Sequence, residues 1–298
     1  MVRLAVVANP ASGGGKGVGH IKRVAALLED LKLPHDLHVS AGPGEPEALA
    51  RRAAEDGAEV VAALGGDGLV GMVANGLVGT DAAMAVLPGG SGNDFASMLG
   101  LRGLEPSVRL LAEPRFETID VGKIDSADGE RYFVCVAGTG FDADANDVAN
   151  RIHRLRGKPK YVMATLRTLA RFRPVGFTIR VDGRPVLEEE AMLVAVGNAR
   201  SYGGGMSVCP DASLTDGALE VCIVGAMGKA AFVAAFPKVF KGTHVTHPKV
   251  HMFRGATVEV DAGRTFRVYA DGDRAGTLPA TLTVIPRALK VVIPWQTA

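Results

Sequence analysis

Glu59-Val60-Val61-Ala62-Ala63-Leu64-Gly65-Gly66-Asp67-Gly68 is the stretch on which the reading of the fold turns. Glu59 to Leu64 reads as a strand whose apolar run lacks the in-out alternation of a strand with one wet face. Such a run suits a sheet covered on both sides. A short polar turn follows, and then Leu69 to Leu77, apolar at helical spacing. Outward from here the same unit recurs. Leu4 to Ala8 is a strand, and Ile21, Val24, Leu27, Leu28 and Leu31 mark a helix. Asp36 to Ser40 and Glu45 to Asp56 make the second pair, and Ala83 to Leu87 with Asn93 to Leu99 the fourth. Alternating strands and helices predict an open parallel α/β layer, on which ligands bind beyond the carboxyl ends of the strands.

After Phe116–Gly122 the texture changes. Strand-like runs dominate, at Tyr132–Ala137, Phe177–Val181, Met192–Val196, Leu219–Val224, Thr257–Val260, Phe266–Tyr269, Thr281–Ile285 and Leu289–Ile293. Turns rich in Gly, Pro and Asp separate them, which predicts an antiparallel sandwich. Two helical stretches interrupt it, Asp144–Arg171 and Lys229–Phe240. The expected division is therefore a nucleotide-binding domain over 1–122 and a β-sandwich domain over 123–287. The segment 288–298 is expected to pack back onto the first domain.

The totals narrow the function. A net charge of +1 over 298 residues gives no global attraction to nucleic acid. Cys135, Cys209 and Cys222 are far apart, without metal-ligand spacing, and read as buried thiols of a reducing compartment. The first apolar run is too short for a signal-peptide core, and no window reaches the length of a spanning helix. A cytoplasmic protein that touches membranes from outside is the expectation.

Three turns carry the chemistry. Asn9-Pro10-Ala11-Ser12-Gly13-Gly14-Gly15-Lys16 follows the first strand. Its glycines let amide groups approach an anion, but Gly17 stands where a P-loop needs Ser or Thr. Gly66, Gly68 and Gly71 satisfy a dinucleotide spacing, yet they follow the third strand, and no ribose-binding acid ends the next one. Asp67 between glycines is the more informative feature, because a carboxylate there can hold a metal–phosphate unit. The fourth strand ends in Leu87-Pro88-Gly89-Gly90-Ser91-Gly92-Asn93-Asp94-Phe95-Ala96. Ser91 or Asn93 could simply cap a helix. Turn chemistry alone does not account for three phosphate-compatible turns on one sheet edge.

Asn-Pro-x-Ser-Gly, Gly-Gly-Asp-Gly and Gly-Gly-Ser-Gly-Asn-Asp-Phe-Ala, in this order, resemble the diacylglycerol kinase catalytic family. The similarity continues through Ile119-Asp120-Val121-Gly122, Gly138-Thr139-Gly140-Phe141-Asp142-Ala143, Gly203-Gly204-Gly205-Met206, Cys209 to Gly217, and Asp271-Gly272-Asp273. It implies an NAD-kinase-type, Rossmann-like nucleotide domain joined to the sandwich, with the active site in the cleft between them. It implies an ATP- and Mg²⁺-dependent lipid kinase that converts diacylglycerol to phosphatidic acid. Asn9, Ser40, Gly65, Gly66, Asp67, Gly68, Ser91 and Asn93 would then line the ATP site. Asp67, Asp94 and Asp120 would form a carboxylate network around Mg²⁺. Asp216 with the carbonyls of Ser213 and Ala218 would hold a second, structural Mg²⁺, and oxygen-only ligands suit that cation. Asp273 stands at the position of the family's general base, a Glu.

The chain also departs from the family pattern. Leu69, Gly71 and Met72 replace Thr, Asn and Glu, and Asp273 is one methylene shorter than Glu. A weakened or non-catalytic nucleotide- or lipid-binding member is the alternative. A soluble-substrate kinase of the NAD-kinase type is a further one, disfavoured by the Gly-Asn-Asp-Phe-Ala run.

Arg151 to Arg173 holds eight Lys or Arg and no acid, interleaved with Tyr161, Val162, Met163, Leu166, Leu169 and Phe172. A basic amphipathic helix of this kind reads as a contact with a lipid surface, against the alternative of a solvated face. No aromatic platform for nucleic acid accompanies it. His244, His247 and His251 invite a zinc reading, but Pro248 prevents a shared helical face. An exposed strand edge would support a homodimer.

Overall fold

The structure, a computed structural model, describes residues 2–42, 44–151 and 158–295, with the backbone alone for 149–151, 158–162 and 166. The chain divides into two compact units, Met1–Asp120 with Pro286–Ala298, and Val121–Ile285.

The first unit runs β1 (Leu4–Ala8), α1 (Ser12–Gly15), α2 (Gly17–Asp30), β2 (His35–Val39), α3 (Glu45–Glu55), β3 (Val60–Gly65), α4 (Asp67–Leu77), β4 (Ala83–Pro88), α5 (Asp94–Met98) and α6 (Leu104–Arg109). The strands lie in the order β4-β3-β1-β2, all parallel, with Ala8 level with Leu64 and Gly65 level with Pro88. β1 and β3 are buried along their whole length, as central strands between helices must be. Val6, Leu28, Leu64, Leu87 and Val108 build the core, and Val292 near the C-terminus joins it. Val291 pairs in parallel with Met84, so the returning chain adds a strand beside β4. The short helix α6 left no signal in the sequence; Val108 and Leu111 anchor it.

β5 (Arg115–Ser126) carries the chain into the second unit. There follow β6 (Gly129–Phe133), β7 (Val136–Gly140), α7 (Phe141–Arg151), α8 (Lys158–Arg171), β8 (Val175–Val181), β9 (Arg184–Gly197), β10 (Leu219–Gly225) and α9 (Lys229–Ala235). Two 3₁₀ turns, Phe236–Lys241 and Thr243–Thr246, lead to β11 (Val250–Gly255), β12 (Thr257–Ala262), β13 (Arg267–Ala270), β14 (Asp273–Thr277) and β15 (Ala280–Ile293). Every strand pair here is antiparallel among the described registers. β9 joins the layers of a sandwich-like fold. Its first half pairs with β8, and its second half lies between β7 and β10.

Several elements differ from the sequence expectation. Tyr132–Ala137 is not one strand but the end of β6 and the start of β7. The amides of Val134 and Cys135 leave the ladder because both donate to the Asp271 carboxylate, each at 2.8 Å. Thr281–Ile285 and Leu289–Ile293 belong to one strand, β15, which carries Arg287 at φ +52°. Pro286 in the middle of the run made it look broken. Asp144–Arg171 is two helices; residues 152–157, with Arg154 and Arg156 of the basic segment, lie outside the described residues. The side chains of Arg151, Lys158, Lys160, Tyr161, Val162 and Leu166 lie outside them too.

Candidate active site

The turns after β1, β3 and β4 meet at the carboxyl edge of the first unit's sheet, and glycine is what lets them meet. A Cβ on Gly90 would lie 2.4 Å from Gly66 Cα, and one on Gly13 would lie 2.5 Å from the Gly89 carbonyl oxygen. The Gly89 amide donates to the Gly65 carbonyl at 2.8 Å, which continues the β3–β4 ladder into the turns. His20 of α2, which the sequence reading passed over, packs against this junction. A Cβ on Gly89 would lie 3.0 Å from its Nδ1. Nothing in the spacing of the sequence marks it.

Each predicted nucleotide-site residue can now be placed. Asn9 accepts the Ala11 amide on Oδ1 at 2.8 Å and so shapes the first turn. Ser40 is buried, and its amide donates to Ala8 at 2.8 Å, which seats it where β2 ends beside β1. Gly65 closes β3, Gly66 precedes α4, and Asp67 and Gly68 open that helix. Ser91 is exposed on the fourth turn. Asn93 sits at φ +57° and clasps Gly90 from both ends of its amide, accepting at 2.9 Å and donating at 3.0 Å. Its side chain shapes the loop, and its carbonyl accepts from the Ser97 amide at 3.0 Å, so Asn93 acts as the frame of this turn.

Asp67 and Asp94 form the electrostatic centre. Asp67 Oδ1 accepts the Phe95 amide at 3.2 Å. Burial, and then the charge of Asp94, push the Asp67 carboxyl above its ordinary range, against the lowering pull of the amides of Phe95, Asn93 and Asp94. A half-buried and a buried carboxylate that repel each other make a site a divalent cation would relieve. Mg²⁺ takes one or two carboxylates together with water and phosphate oxygens, so this donor set fits it. Asp120 is buried and accepts the Arg287 amide at 2.8 Å. Among the described residues no group of three or more Asp, Glu, His or Cys could hold a metal by itself. Leu69, in the place of a hydroxyl residue, is buried with its side chain over Gly65.

In the second unit Asp271-Gly272 is a two-residue turn joining β13 to β14, with φ of +52° and +93°. Positive φ at both positions is what this hairpin geometry requires. Asp273, the next residue, is half-buried. Burial raises its carboxyl pKa, and the Arg131 cation opposes the rise. Asp271 is not among the predicted site residues; its two buried hydrogen bonds show that it fixes the hairpin. Asp216 pairs with Arg254 at 2.7 Å and accepts the Ala218 amide at 3.2 Å. A cation held by Asp216 with the carbonyls of Ser213 and Ala218 would have to share that carboxylate with the guanidinium. Asp142 was not singled out as a site residue. Its carboxyl is pushed up to about 6 by burial, against a lowering hydrogen bond from Tyr202. Gly138 leaves it room, since a Cβ there would lie 2.5 Å from Asp142 Oδ2. The histidines of the 244–251 run diverge. His244 is buried with Nε2 3.1 Å from the Val208 carbonyl, while His247 Nδ1 accepts the Lys249 amide at 3.1 Å. All three cysteines are buried free thiols, and burial pushes Cys222 up to about 12.

A parallel sheet with glycine turns and paired carboxylates at its carboxyl edge, followed in sequence by an antiparallel sandwich, defines a phosphotransferase of the two-domain nucleotide-binding kind. Residues 3–124 match the diacylglycerol kinase catalytic domain, and residues 135–293 match the YegS C-terminal NAD kinase beta sandwich-like domain. A diacylglycerol kinase of Mycobacterium tuberculosis is 35% identical over 98% of this chain and 95% of its own length. One of Bacillus subtilis is 27% identical over 100% of this chain and 98% of its own. The crystal structure of a diacylglycerol kinase from Bacillus anthracis superposes with a TM-score of 0.74 at 19% identity, covering 98% of this chain and 97% of that one. The chain belongs to the diacylglycerol kinase family. It is a lipid-kinase-family enzyme that draws its phosphate from ATP. Among the described residues no helix is long and apolar enough to cross a membrane.

Proposed function

We propose that the protein transfers the γ-phosphate of ATP to the free hydroxyl of diacylglycerol, giving phosphatidic acid and ADP. The observation that carries this reading is the Asp67–Asp94 pair set among the glycine turns after β3 and β4. The names of the relatives support the choice of acceptor. In this reading the turn amides and the Asn9 and Ser40 region hold the nucleotide phosphates. Asp67 and Asp94 hold Mg²⁺, which when bound neutralises charge on the transferring phosphate. Asp120 supports that network, and Asp216 with the Ser213 and Ala218 carbonyls holds a structural Mg²⁺. Asp273 accepts the hydroxyl proton as the new P–O bond forms and the bond to the departing ADP breaks. A raised pKa suits that role, because a base titrating closer to neutrality is the better acceptor. The basic segment from Arg151 to Arg173 meets the lipid surface.

Labelled ATP and mixed micelles of candidate lipids test the reading. Label in phosphatidic acid is expected, and folded protein that labels no lipid with Mg²⁺ or Mn²⁺ rejects it. Asp273→Ala is expected to abolish turnover while ATP binding persists; joint loss would remove the assigned role. Leu69, apolar and folded over Gly65, favours a second reading, a nucleotide- and lipid-binding protein with weak or no turnover. Robust wild-type turnover ends that reading.

A further inference from the structure

Beyond the basic segment just described, the second unit has another surface that the kinase reaction does not use. α9 and the 3₁₀ turn after it bury little: Phe232 is the only buried residue of α9, and the turn buries none. Val233 is 47% exposed and Phe240 46%. Val233 stands on α9 and Phe240 on the 3₁₀ turn that follows it without a break. A single exposed apolar side chain is ordinary, but two on consecutive elements of one short surface segment make a patch. Its charge is one-sided. Between Glu220 and Glu259 there is no acidic residue, while Lys229, Lys238, Lys241, Lys249 and Arg254 fall within that span. Lys238 and Lys241 are exposed on the turn that presents Phe240.

The patch is also tied to the end of α8. Lys229 Nζ donates to the Ala170 carbonyl at 2.6 Å, which places a cation on the carboxyl terminus of α8. The Phe141 ring meets Phe172 at 5.4 Å and Phe232 at 4.8 Å, so one aromatic cluster holds both helices. Between them opens a cavity of about 560 Å³ lined by Met192 and Met227, with Arg171 and Arg173 also on its wall.

We infer that α9 and the following 3₁₀ turn form a docking surface for an anionic lipid bilayer, with Val233 and Phe240 entering the acyl boundary and Lys238 and Lys241 meeting the headgroup phosphates. Apolar residues flanked by lysines, in a segment without an acid of its own, match that partner in charge and in polarity. The inference rests on the lipid-kinase reading only for its purpose; the surface itself is read from exposure and charge. It gives the protein a second contact with the membrane, and weak contacts hold a protein to a bilayer when they act in pairs.

Sedimentation with vesicles tests it, using phosphatidylcholine alone and an equal mixture of phosphatidylcholine and phosphatidylglycerol. Wild-type protein is expected to pellet with the mixed vesicles and not with the neutral ones. Val233→Ser with Phe240→Ser is expected to weaken that binding tenfold or more. Lys238→Glu with Lys241→Glu is expected to weaken it by about thirty-fold or more, since each lysine near an anionic surface contributes roughly a fivefold factor. A Phe240→Trp variant is expected to shift its emission to the blue on adding mixed vesicles. All substituted side chains are exposed or on the helix surface, and circular dichroism checks that the fold is kept. Wild-type binding that survives the Val233/Phe240 pair overturns the surface, as does indifference of the wild type to mixed vesicles. A dimer that dissociates in the Phe240→Ser variant, with no vesicle binding, overturns it in favour of a second copy. Turnover of a water-soluble short-chain diacylglycerol separates the two readings. The Val233/Phe240 variant should match the wild type there; vesicle binding through these residues without such turnover would leave the surface standing and the kinase reading rejected.

Discussion

Asp67 and Asp142 are both carboxylates whose surroundings favour the proton, and each predicts a different experiment. Asp67 is raised by burial and then by Asp94, so at neutral pH its charge is a strain on the fold. Asp67→Asn keeps an acceptor for the Phe95 amide and removes that charge. The expected result is a higher melting temperature together with a fall in kcat of about 100-fold or more, since a carboxylate that would hold Mg²⁺ against the transferring phosphate is lost. Scanning calorimetry and steady-state kinetics on one preparation read the two effects. Asp142 titrates at about 6 in the folded protein, above its ordinary 3.8. The folded state therefore binds more protons than the unfolded one between those values, and stability falls as pH rises through this window. By linkage the loss amounts to about 3 kcal/mol at most. Asp142→Asn can still accept from Tyr202 and is expected to flatten the melting temperature between pH 4 and 6 and to raise it at pH 7. A wild-type curve with no slope in that window refutes the account. Neither shift was legible in the sequence, because burial and the approach of Tyr202, some sixty positions away, are properties of the folded chain alone.

At the scale of elements, the hairpin β13–β14 depends on a residue that looks like ordinary turn chemistry. Asp271 occupies a positive-φ position and holds the amides of Val134 and Cys135, both in a buried strand junction. Asp271→Ala leaves two buried donors without partners and is expected to cost roughly 2–5 kcal/mol in urea denaturation. Asp271→Asn, which tolerates positive φ and keeps one acceptor, is expected to cost about half as much or less. Equal losses would mean that the backbone conformation matters and the hydrogen bonds do not. The Asp-Gly pair did announce the turn, and the strands on either side were legible as apolar runs. Their breaks were not. Tyr132–Ala137 reads as one strand because nothing local records a carboxylate arriving from Asp271, and Pro286 suggests a break that β15 passes through. The parallel sheet was read more closely because its central strands β1 and β3 are buried along their whole length, and burial writes itself into sequence as an unbroken apolar run.

For the molecule as a whole, the division of labour follows from where polar groups can be afforded. The first unit keeps the centre of its sheet dry and places Asp67, Asp94 and the turn amides at one edge. The second carries exposed cationic and apolar side chains on α8, α9 and the turn after α9, which predicts a kinase whose turnover of long-chain diacylglycerol depends on the charge of the interface. Adding phosphatidylglycerol to neutral mixed micelles is expected to raise the apparent rate about tenfold at low ionic strength, and salt is expected to erode the gain. Rates indifferent to both would detach catalysis from interfacial charge. The order of motifs made the family legible from end to end. The second surface proposed above was less so, because a run of Lys and Arg stands out by eye, whereas Val233 and Phe240 become unusual only when their exposure is known.

The contact between Gly66 and Gly90 has a consequence for how this sequence can change over time. Most close-packed pairs can drift together, one residue growing as the other shrinks. Here both partners are already the smallest residue there is, and an added methyl on Gly90 would stand 2.4 Å from its neighbour's α-carbon. No second substitution can make room for a side chain on Gly90, so that site is frozen, whereas one on Gly66 would stand 3.2 Å from the Gly90 α-carbon and asks the loops to part by only a few tenths of an ångström.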